Sequence, residues 1–241
     1  MTSPLFPLSL PPKLMRIILF DIDGTLLKAG GIVREAMGDA LEEIFSTRGR
    51  IAEASFIGAT DLGVVHDLMG QEGFTEEEIN RRFPKLIETY GPILREKLAT
   101  WDNFILCPGV PQILEKLQGQ GALLGLVTGN CQVGAAVKLD RGSLTGYFSF
   151  GAFGDETTNR ALMCEFAHKR GEKEAGEQIP KERVILVGDS PNDITAAKAY
   201  GIRMLAVGSG WIGAEELSKH NPDWLYPDLS ATQEIVDLLL G

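Results

Sequence analysis

Short apolar runs alternate with stretches of helical periodicity along most of this chain. The runs are rich in branched residues and too short for helices, which predicts strands buried on both faces of a parallel sheet. They cover residues 15–20, 123–127, 184–187 and 204–207, with a possible further strand at 148–153. Apolar residues between them recur every three to four positions, which is typical of amphipathic helices. Strands alternating with helices favour an α/β fold: a Rossmann-like parallel sheet with helices on both faces.

The stretch from residue 30 to residue 104 has a different pattern, with helical periodicity and no convincing strand. Residues 32–45 predict an amphipathic helix, and residues 61–69 predict a shorter one. Thr75 and Glu78 have the spacing of a capping box that begins a further helix. Pro84 and Pro92 are expected to divide or kink that helix, so that helical pieces and not one rod extend through Leu98.

The change of pattern predicts the domain organisation. We expect a core domain formed by residues 13–29 and 105–241, an inserted small all-α cap domain at 30–104, and a flexible leader at 1–12. Within the core, the charged, glycine-containing residues 172–178 predict a surface loop, and one or two small helices are expected to close the chain after residue 207.

Polar residues follow three of the predicted strands. Asp21 and Asp23 follow the first, and the second and third lead into other polar residues, namely Thr128, Gly129, Asn130, Asp189 and Asp193. In open α/β sheets ligands bind at the carboxyl ends of the strands, so these side chains are expected to meet there. One Asp-x-Asp pair alone would be weak support, because acidic turns are common. The coincidence at three strand ends is more informative.

These residue types suit a covalent displacement. A carboxylate such as Asp21 can act as a nucleophile, and a second carboxyl at Asp23 can serve as general acid and then base. Several carboxylates with little compensating charge repel one another, which favours a bound hard cation such as Mg²⁺. Thr128 offers a hydroxyl donor, although it could also simply cap the next helix, and the backbone at Gly129 can approach a phosphate oxygen closely.

The order of these motifs resembles the haloacid dehalogenase superfamily of phosphohydrolases. The residues that carry the resemblance are Asp21-Ile22-Asp23-Gly24-Thr25, Thr128 after a strand, and Gly188-Asp189-Ser190-Pro191-Asn192-Asp193. The helical insertion resembles the cap of the phosphoglycolate phosphatase and phosphoglucomutase branch. The resemblance implies Mg²⁺ held by Asp21, Asp189 and the backbone carbonyl of Asp23, with support from Asp193. It also implies phosphate contacts from Gly24, Thr128, Gly129 and Asn130.

The superfamily also uses a phosphate-facing cation, usually a lysine followed by proline, and this sequence departs from that pattern. No Lys-Pro occurs between residues 153 and 184. Arg160, at the start of a predicted helix, is the favoured candidate, and Lys169 farther along is the rival. In the predicted cap, the polar turn at Gly58, Thr60 and Asp61 could face substrate, although simple helix capping by Thr60 or Asp61 is the favoured interpretation.

Composition limits the partners. A formal net charge of −10 and a pI near 4.9 disfavour nucleic-acid binding, which requires clustered Lys and Arg. No apolar run approaches the length of a membrane span, and the four prolines among residues 1–12 do not suit a signal peptide. The three cysteines are too few and too dispersed for a disulfide framework or a zinc site. We therefore expect a cytoplasmic protein, with the oligomeric state open. The family resemblance, with a cap that would close over the site, implies a small phosphorylated metabolite as the partner.

Three functions remain open at this point. By resemblance, an aspartate at position 23 favours a phosphatase that forms an aspartyl-phosphate intermediate, with phosphoglycolate-like or sugar-phosphate substrates. A sugar phosphomutase is the near alternative. A non-catalytic phospho-ligand-binding or regulatory protein that keeps the fold is the third, and the atypical cation motif is the only feature that favours it.

Overall fold

The computed structural model describes residues 15–241, so the predicted leader at 1–12 lies outside the described residues. Six parallel strands form the main sheet in the order β5-β4-β1-β6-β7-β8. Their bounds are β1 Ile17–Phe20, β4 Leu123–Val127, β5 Phe150–Ala152, β6 Val184–Gly188, β7 Arg203–Val207 and β8 Trp224–Tyr226. A second, antiparallel sheet pairs β2 Leu27–Lys28 with β3 Ile105–Leu106.

Helices cover both faces of the main sheet. In the described chain they are α1 Ile32–Phe45, α2 Asp61–Gln71, α3 Glu76–Ala99, α4 Val110–Gly119, α5 Gln132–Arg141, α6 Arg160–Ala175, α7 Pro191–Tyr200, α8 Ala214–Ser218 and α9 Thr232–Leu240. None of them is both long enough and apolar enough to span a bilayer. The predicted α/β class, with a parallel sheet and an inserted helical block, is confirmed.

The central strand β1 shows why a continuous apolar run was needed. Ile18 and Phe20 pack into one hydrophobic cluster, whereas Ile17 and Leu19 pack into the cluster on the opposite face. Because successive side chains of a strand point to opposite faces, both sets must be apolar when helices cover both sides. Strand β1 lies between β4 and β6, so its carboxyl end lies beside the ends of both neighbours.

In sequence, helices α1, α2 and α3 are inserted between β2 and β3, the two strands that pair to form the small antiparallel sheet. Helix α3 packs against α1, α2 and also α5 of the sheet region. The predicted caps are present: Thr60 accepts a hydrogen bond from the Gly63 amide, and Thr75 with Glu78 forms a capping box. The division of the chain into cap and core domains remains a prediction.

The expectation that prolines divide the third helix is wrong. Helix α3 is continuous for 24 residues with Pro84 and Pro92 inside it. Each proline removes one backbone hydrogen bond, at a cost of about 3 kcal/mol. Both prolines lie on the exposed face, where water can hydrate the freed carbonyls, while Phe83, Leu86 and Tyr90 pack on the buried face.

Two boundaries also differ from the prediction. Residues 172–175 of the expected loop belong to helix α6, which ends only at Gly176 in the left-handed conformation. The Glu172 side chain accepts a hydrogen bond from the Ile179 amide at 2.9 Å, so its charge is engaged locally in the last turn. The sequence analysis also missed three short strands, β2, β3 and β8, because two or three residues are too few to show a period.

Candidate active site

Asp21 follows β1 directly and lies at the carboxyl edge of the main sheet. Its amide donates to the Val187 carbonyl of β6 at 2.9 Å, which fixes the backbone at the strand end. Its Oδ1 lies 3.4 Å from Nη2 of Arg160, the first residue of α6. Burial raises the pKa of Asp21, the Asp193 charge raises it further, and Arg160 opposes both. This carboxylate is therefore held in a buried, charged environment at the position predicted for a nucleophile.

Arg160 joins Asp21 to Asp193. The same Nη2 also donates to Oδ1 of Asp193, and the guanidinium is 8% exposed. Burial would lower the pKa of Arg160, but the charges of Asp193 and Asp21 more than offset this and the pKa is raised. Lys169, the rival cation, is instead exposed and paired with Glu165 one turn earlier in α6.

Asp193 is fixed by the start of α7. Ser190 caps this helix, and its amide and hydroxyl both donate to Oδ2 of Asp193, at 3.1 and 2.6 Å. Since Arg160 occupies the other oxygen, both oxygens of Asp193 already have partners. This arrangement suits a residue that supports the neighbouring charges.

Asp189 follows β6 and completes a buried carboxylate cluster. One oxygen from each of Asp21, Asp189 and Asp193 lies within 4.8 Å of the others. Burial raises the pKa of Asp189, and the charges of Asp21 and Asp193 raise it further. The donor set consists of carboxylate oxygens, which are the ligands that Mg²⁺ prefers. A bound divalent cation would relieve the repulsion within this cluster, so the residues present fit such an ion.

Gly24 makes the close approach to Asp189 possible. Its φ is +90°, and a Cβ at this position would lie 2.2 Å from Oδ2 of Asp189. Its amide donates to the Leu27 carbonyl at 2.8 Å, and its carbonyl accepts from the Ser209 hydroxyl at 2.7 Å. The structure therefore places Gly24 beneath the carboxylate cluster, with both backbone groups engaged within the protein.

Asp23 lines the cavity and contacts residues that follow β4. Its Oδ2 accepts from Nδ2 of Asn130 at 2.7 Å and from Nζ of Lys138 at 2.6 Å. Asn130 Nδ2 also reaches the hydroxyl of Thr128 at 2.7 Å. The Gly129 amide donates to no residue that the structure describes, so it is available to a ligand. Thr128, Gly129 and Asn130 thus come together with Asp23, as their positions in sequence predicted.

The loop before α2 closes over this edge of the sheet. The Asp61 amide donates to the Gly129 carbonyl at 2.7 Å, and Oδ2 of Asp61 accepts from the Cys131 amide at 2.7 Å. A Cβ on Gly129 would lie 1.9 Å from the Ala59 carbonyl oxygen, so only glycine allows this approach. Burial raises the pKa of Asp61, while the hydrogen bond from Cys131 opposes the rise. Asp61 therefore ties the insertion to the sheet edge.

A cavity of about 310 Å³ lies between the sheet edge and the insertion. Asp21, Asp23 and Asp189 line one side of it. The residues from the insertion that line it include Val33, Arg34, Phe56, Ile57, Gly58 and Asp61, and Trp211 also lines it. This volume suits a small metabolite and not a macromolecule.

The remaining candidates lie outside the cavity. Thr60 is 5% exposed and its hydroxyl caps α2, so its side chain serves the helix. His168 is buried and hydrogen-bonded to the Tyr200 hydroxyl and the Ile179 carbonyl. The three cysteines are free and buried. Burial raises the pKa of Cys131 well above its usual range, which does not suit a nucleophile.

Two charged cavity residues were missed by the sequence analysis. The sequence analysis did not single out Lys138, although it follows Gly134 by four positions on the buried face of α5. A lysine on the inner face of an amphipathic helix was the available signal. Arg34 gave no signal, because an arginine in the first turn of an amphipathic helix is common.

Comparisons with known proteins identify the family. Residues 18–207 match the family described as haloacid dehalogenase-like hydrolase. A phosphoglycolate phosphatase from Pseudomonas fluorescens is 26% identical, covering 91% of this chain and 79% of its own. One from Aliivibrio fischeri is 28% identical, covering 87% and 91% respectively. A solved structure described as a predicted phosphatase from Clostridium acetobutylicum has a TM-score of 0.66 at 19% identity, covering 94% of this chain and 99% of that chain, and shares the fold. The family resemblance predicted from the strand-end motifs is confirmed, and this chain belongs to the haloacid dehalogenase-like hydrolase family.

Proposed function

We propose that this hydrolase is a Mg²⁺-dependent phosphatase of a small phosphorylated carboxylic acid, with phosphoglycolate as the first candidate. The observation that carries the proposal is the convergence of Asp21, Asp23 and Asp189 on one small cavity. A nucleophilic carboxylate, a second carboxyl for proton transfer and an acidic cation site are the groups that phosphomonoester hydrolysis through a covalent intermediate requires. The names of the curated relatives support the same activity and suggest the substrate.

The first half-reaction forms a phosphoenzyme. A carboxylate oxygen of Asp21 attacks phosphorus, a new O–P bond forms, and the bond from phosphorus to the leaving oxygen breaks. Asp23 gives its proton to that leaving oxygen, which departs as an alcohol. Arg160 lines the cavity and would offset charge on the phosphoryl oxygens, and the family resemblance assigns the same role to the Thr128 hydroxyl.

The second half-reaction returns the enzyme to its starting state. Water attacks the phosphorus of the aspartyl phosphate, and Asp23 accepts the proton that the water loses. Inorganic phosphate leaves, Asp21 is regenerated as a carboxylate, and Asp23 is again protonated. A Mg²⁺ ion held by Asp21 and Asp189, with support from Asp193, would neutralise charge on the phosphoryl group throughout.

The insertion provides the groups that suit a carboxylate on the substrate. Arg34 is half-buried at the cavity, and its guanidinium donates to the Ala54 carbonyl at 3.0 Å and lies 5.5 Å from the centre of the Phe56 ring. No carboxylate of a described residue pairs with it, whereas Lys138 and Arg160 are both engaged by aspartates. A cation without a carboxylate partner, in the same cavity as Asp21 and Asp189, favours a substrate that carries a second anionic group besides the phosphate.

We also place the reaction in the cytoplasm. Three free, buried thiols fit a reducing compartment. The partner is a small phosphorylated metabolite, and nothing in the charge of the chain suits a nucleic acid.

The proposal is tested with the purified full chain and a panel of phosphomonoesters. We expect phosphate release from phosphoglycolate that requires Mg²⁺, stops in excess chelator and returns when Mg²⁺ is restored. Glucose 1-phosphate is assayed both for phosphate release and for conversion to glucose 6-phosphate. Conversion without phosphate release would show a mutase, and ligand binding without turnover of any substrate would show a binding protein; either result overturns the proposal.

A further inference from the structure

Lys138 is a buried lysine at the edge of the proposed active site. It lies in the middle of α5, its residue is 1% exposed, and yet it lines the cavity. Removing an ammonium group from water costs several kcal/mol unless charged or hydrogen-bonding partners compensate. Its burial therefore requires specific partners.

Those partners are Asp23 and Asn130. Nζ of Lys138 donates to Oδ2 of Asp23 at 2.6 Å and to Oδ1 of Asn130 at 2.5 Å. The amide nitrogen of Asn130 donates to the same Oδ2 of Asp23 at 2.7 Å. Lys138 and Asn130 thus hold each other as well as the carboxylate, so that one oxygen of Asp23 has two donors in a fixed arrangement.

The other oxygen of Asp23 is left for the substrate. Oδ1 accepts no hydrogen bond from any residue between 15 and 241, and the Asp23 side chain is 27% exposed beside the cavity. Oδ2 accepts hydrogen bonds from the charged Lys138 ammonium and from the neutral Asn130 amide. The carboxylate can therefore present only Oδ1 towards a reacting group without breaking the network.

We propose that Lys138 is a positioning residue that holds Oδ2 of Asp23, so that Oδ1 exchanges protons with the leaving oxygen and the attacking water. The inference rests on the proposed phosphatase activity, because it assigns a role within that reaction. An acid or base must lie within hydrogen-bond reach of the proton it transfers, and a misplacement of 1 Å can cost about 100-fold in rate. Lys138 supplies this placement from outside the reacting atoms.

A direct role for Lys138 on the phosphoryl group is the competing explanation. Lys138 would then act independently of Asp23, and its loss would add to the loss of Asp23. A positioning residue instead loses its effect once the group that it positions is gone. The two explanations therefore differ in a double-mutant cycle.

The experiment measures kcat and KM for phosphoglycolate in the Lys138→Met, Asp23→Asn and doubly substituted proteins. We expect Lys138→Met to lower kcat by about 100-fold, the loss typical of a misplaced catalytic group, with KM changed far less. The double variant should be no slower than Asp23→Asn. Multiplied losses in the double variant, or a normal kcat for Lys138→Met, would overturn the inference.

Two controls separate positioning from folding and from general activity. Lys116→Met changes an exposed lysine that binds Gln233 far from the cavity, and it should keep wild-type kcat. Lys138→Gln retains a neutral donor to Asp23, so we expect a smaller loss of kcat and the same absence of additivity with Asp23→Asn. If Lys138→Met does not fold, the double-mutant cycle is measured with Lys138→Gln and Asp23→Asn. Additive losses of kcat in that cycle would contradict the inference.

Failure of the proposed function gives a different result. A wild-type protein that releases phosphate from no phosphomonoester overturns the phosphatase assignment itself. An active wild type with a strongly impaired Asp23→Asn variant and an unaffected Lys138→Met variant overturns only the role of Lys138.

Discussion

The edge of the sheet and the inserted helices face one another across the same cavity, but they hold their polar groups differently. At the sheet edge, Asp21, Asp189 and Asp193 are 7%, 2% and 0% exposed, and Asp193 has partners on both oxygens. On the insertion, Arg34 is half-buried and Ile57 is 44% exposed. The sheet edge is rigidly packed, whereas the insertion presents adaptable side chains.

This difference separates chemistry from selectivity. Buried carboxylates with fixed partners keep reacting atoms within small tolerances, which the covalent steps require. Partly exposed side chains on an inserted segment can differ in size and charge without disturbing the sheet. We therefore expect substitutions at the sheet edge to act on kcat and substitutions in the insertion to act mainly on KM.

The largest effect is expected at the nucleophile. Asp21→Asn removes the group that attacks phosphorus, so turnover of phosphoglycolate should fall to the uncatalysed background and no phosphoenzyme should form. Phosphate release measures turnover, and trapping of labelled phosphoenzyme measures formation of the intermediate. Asp140→Asn, which alters an exposed carboxylate paired with Arg95, should leave both unchanged. Retained turnover in Asp21→Asn would remove this residue from the reaction.

The second-largest loss of kcat is expected for substitutions of Arg160. Arg160→Lys keeps a positive charge but not the guanidinium geometry, and Arg160→Ala removes both, so we expect kcat to fall progressively, by about 10²- to 10³-fold in the Ala variant. Lys169→Ala should be close to wild type, because Lys169 is exposed and paired with Glu165. The reverse order of effects would show that the sheet edge uses the other cation.

A smaller effect is expected in the insertion. Arg34→Gln should raise KM for phosphoglycolate about tenfold, as expected for loss of a partly exposed charge-assisted hydrogen bond, with kcat little changed. An uncharged alkyl phosphate should show no such change. Arg48→Gln is the matched control, since Arg48 pairs with Glu35 and Asp39 on the same insertion. A fall in kcat as large as at the sheet edge would erase the distinction between the two regions.

The smallest effect concerns stability and pH. In the metal-free protein, burial raises the pKa of Asp21 to about 7 and of Asp189 to about 9, above their values in the unfolded chain. The folded state then binds more protons than the unfolded state, so stability should fall as pH rises from about 4 towards 9. Mg²⁺ should raise the melting temperature by about 5 °C, and more at pH 8 than at pH 5.5. Thermal unfolding with Mg²⁺ or chelator measures this, and an equal gain at both pH values would contradict a cation at the cluster.

Local pattern was sufficient for most elements and failed where tertiary contacts intervene. The helix at 32–45 was predicted at its observed bounds, because its apolar stripe alternates cleanly with charged positions. The continuous α3 was missed because two prolines predict breaks, whereas its buried face packs on α1, α2 and α5 along its whole length. Packing along 24 residues offsets two lost hydrogen bonds, and no local rule accounts for that.

The sequence by itself determined the parallel sheet and the meeting of Asp21, Asp23, Thr128 and Asp189, because apolar runs place strands in the core and parallel strands end at one edge. The sequence also favoured Arg160 over Lys169, and the structure brings Arg160 to Asp21 across 139 positions. Only the tertiary structure showed that Lys138 contacts Asp23, which is 115 positions away. Contacts across such separations depend on how helices pack against the sheet. The periodicity of one helix predicts which of its faces is buried, but it does not predict which residues that face contacts.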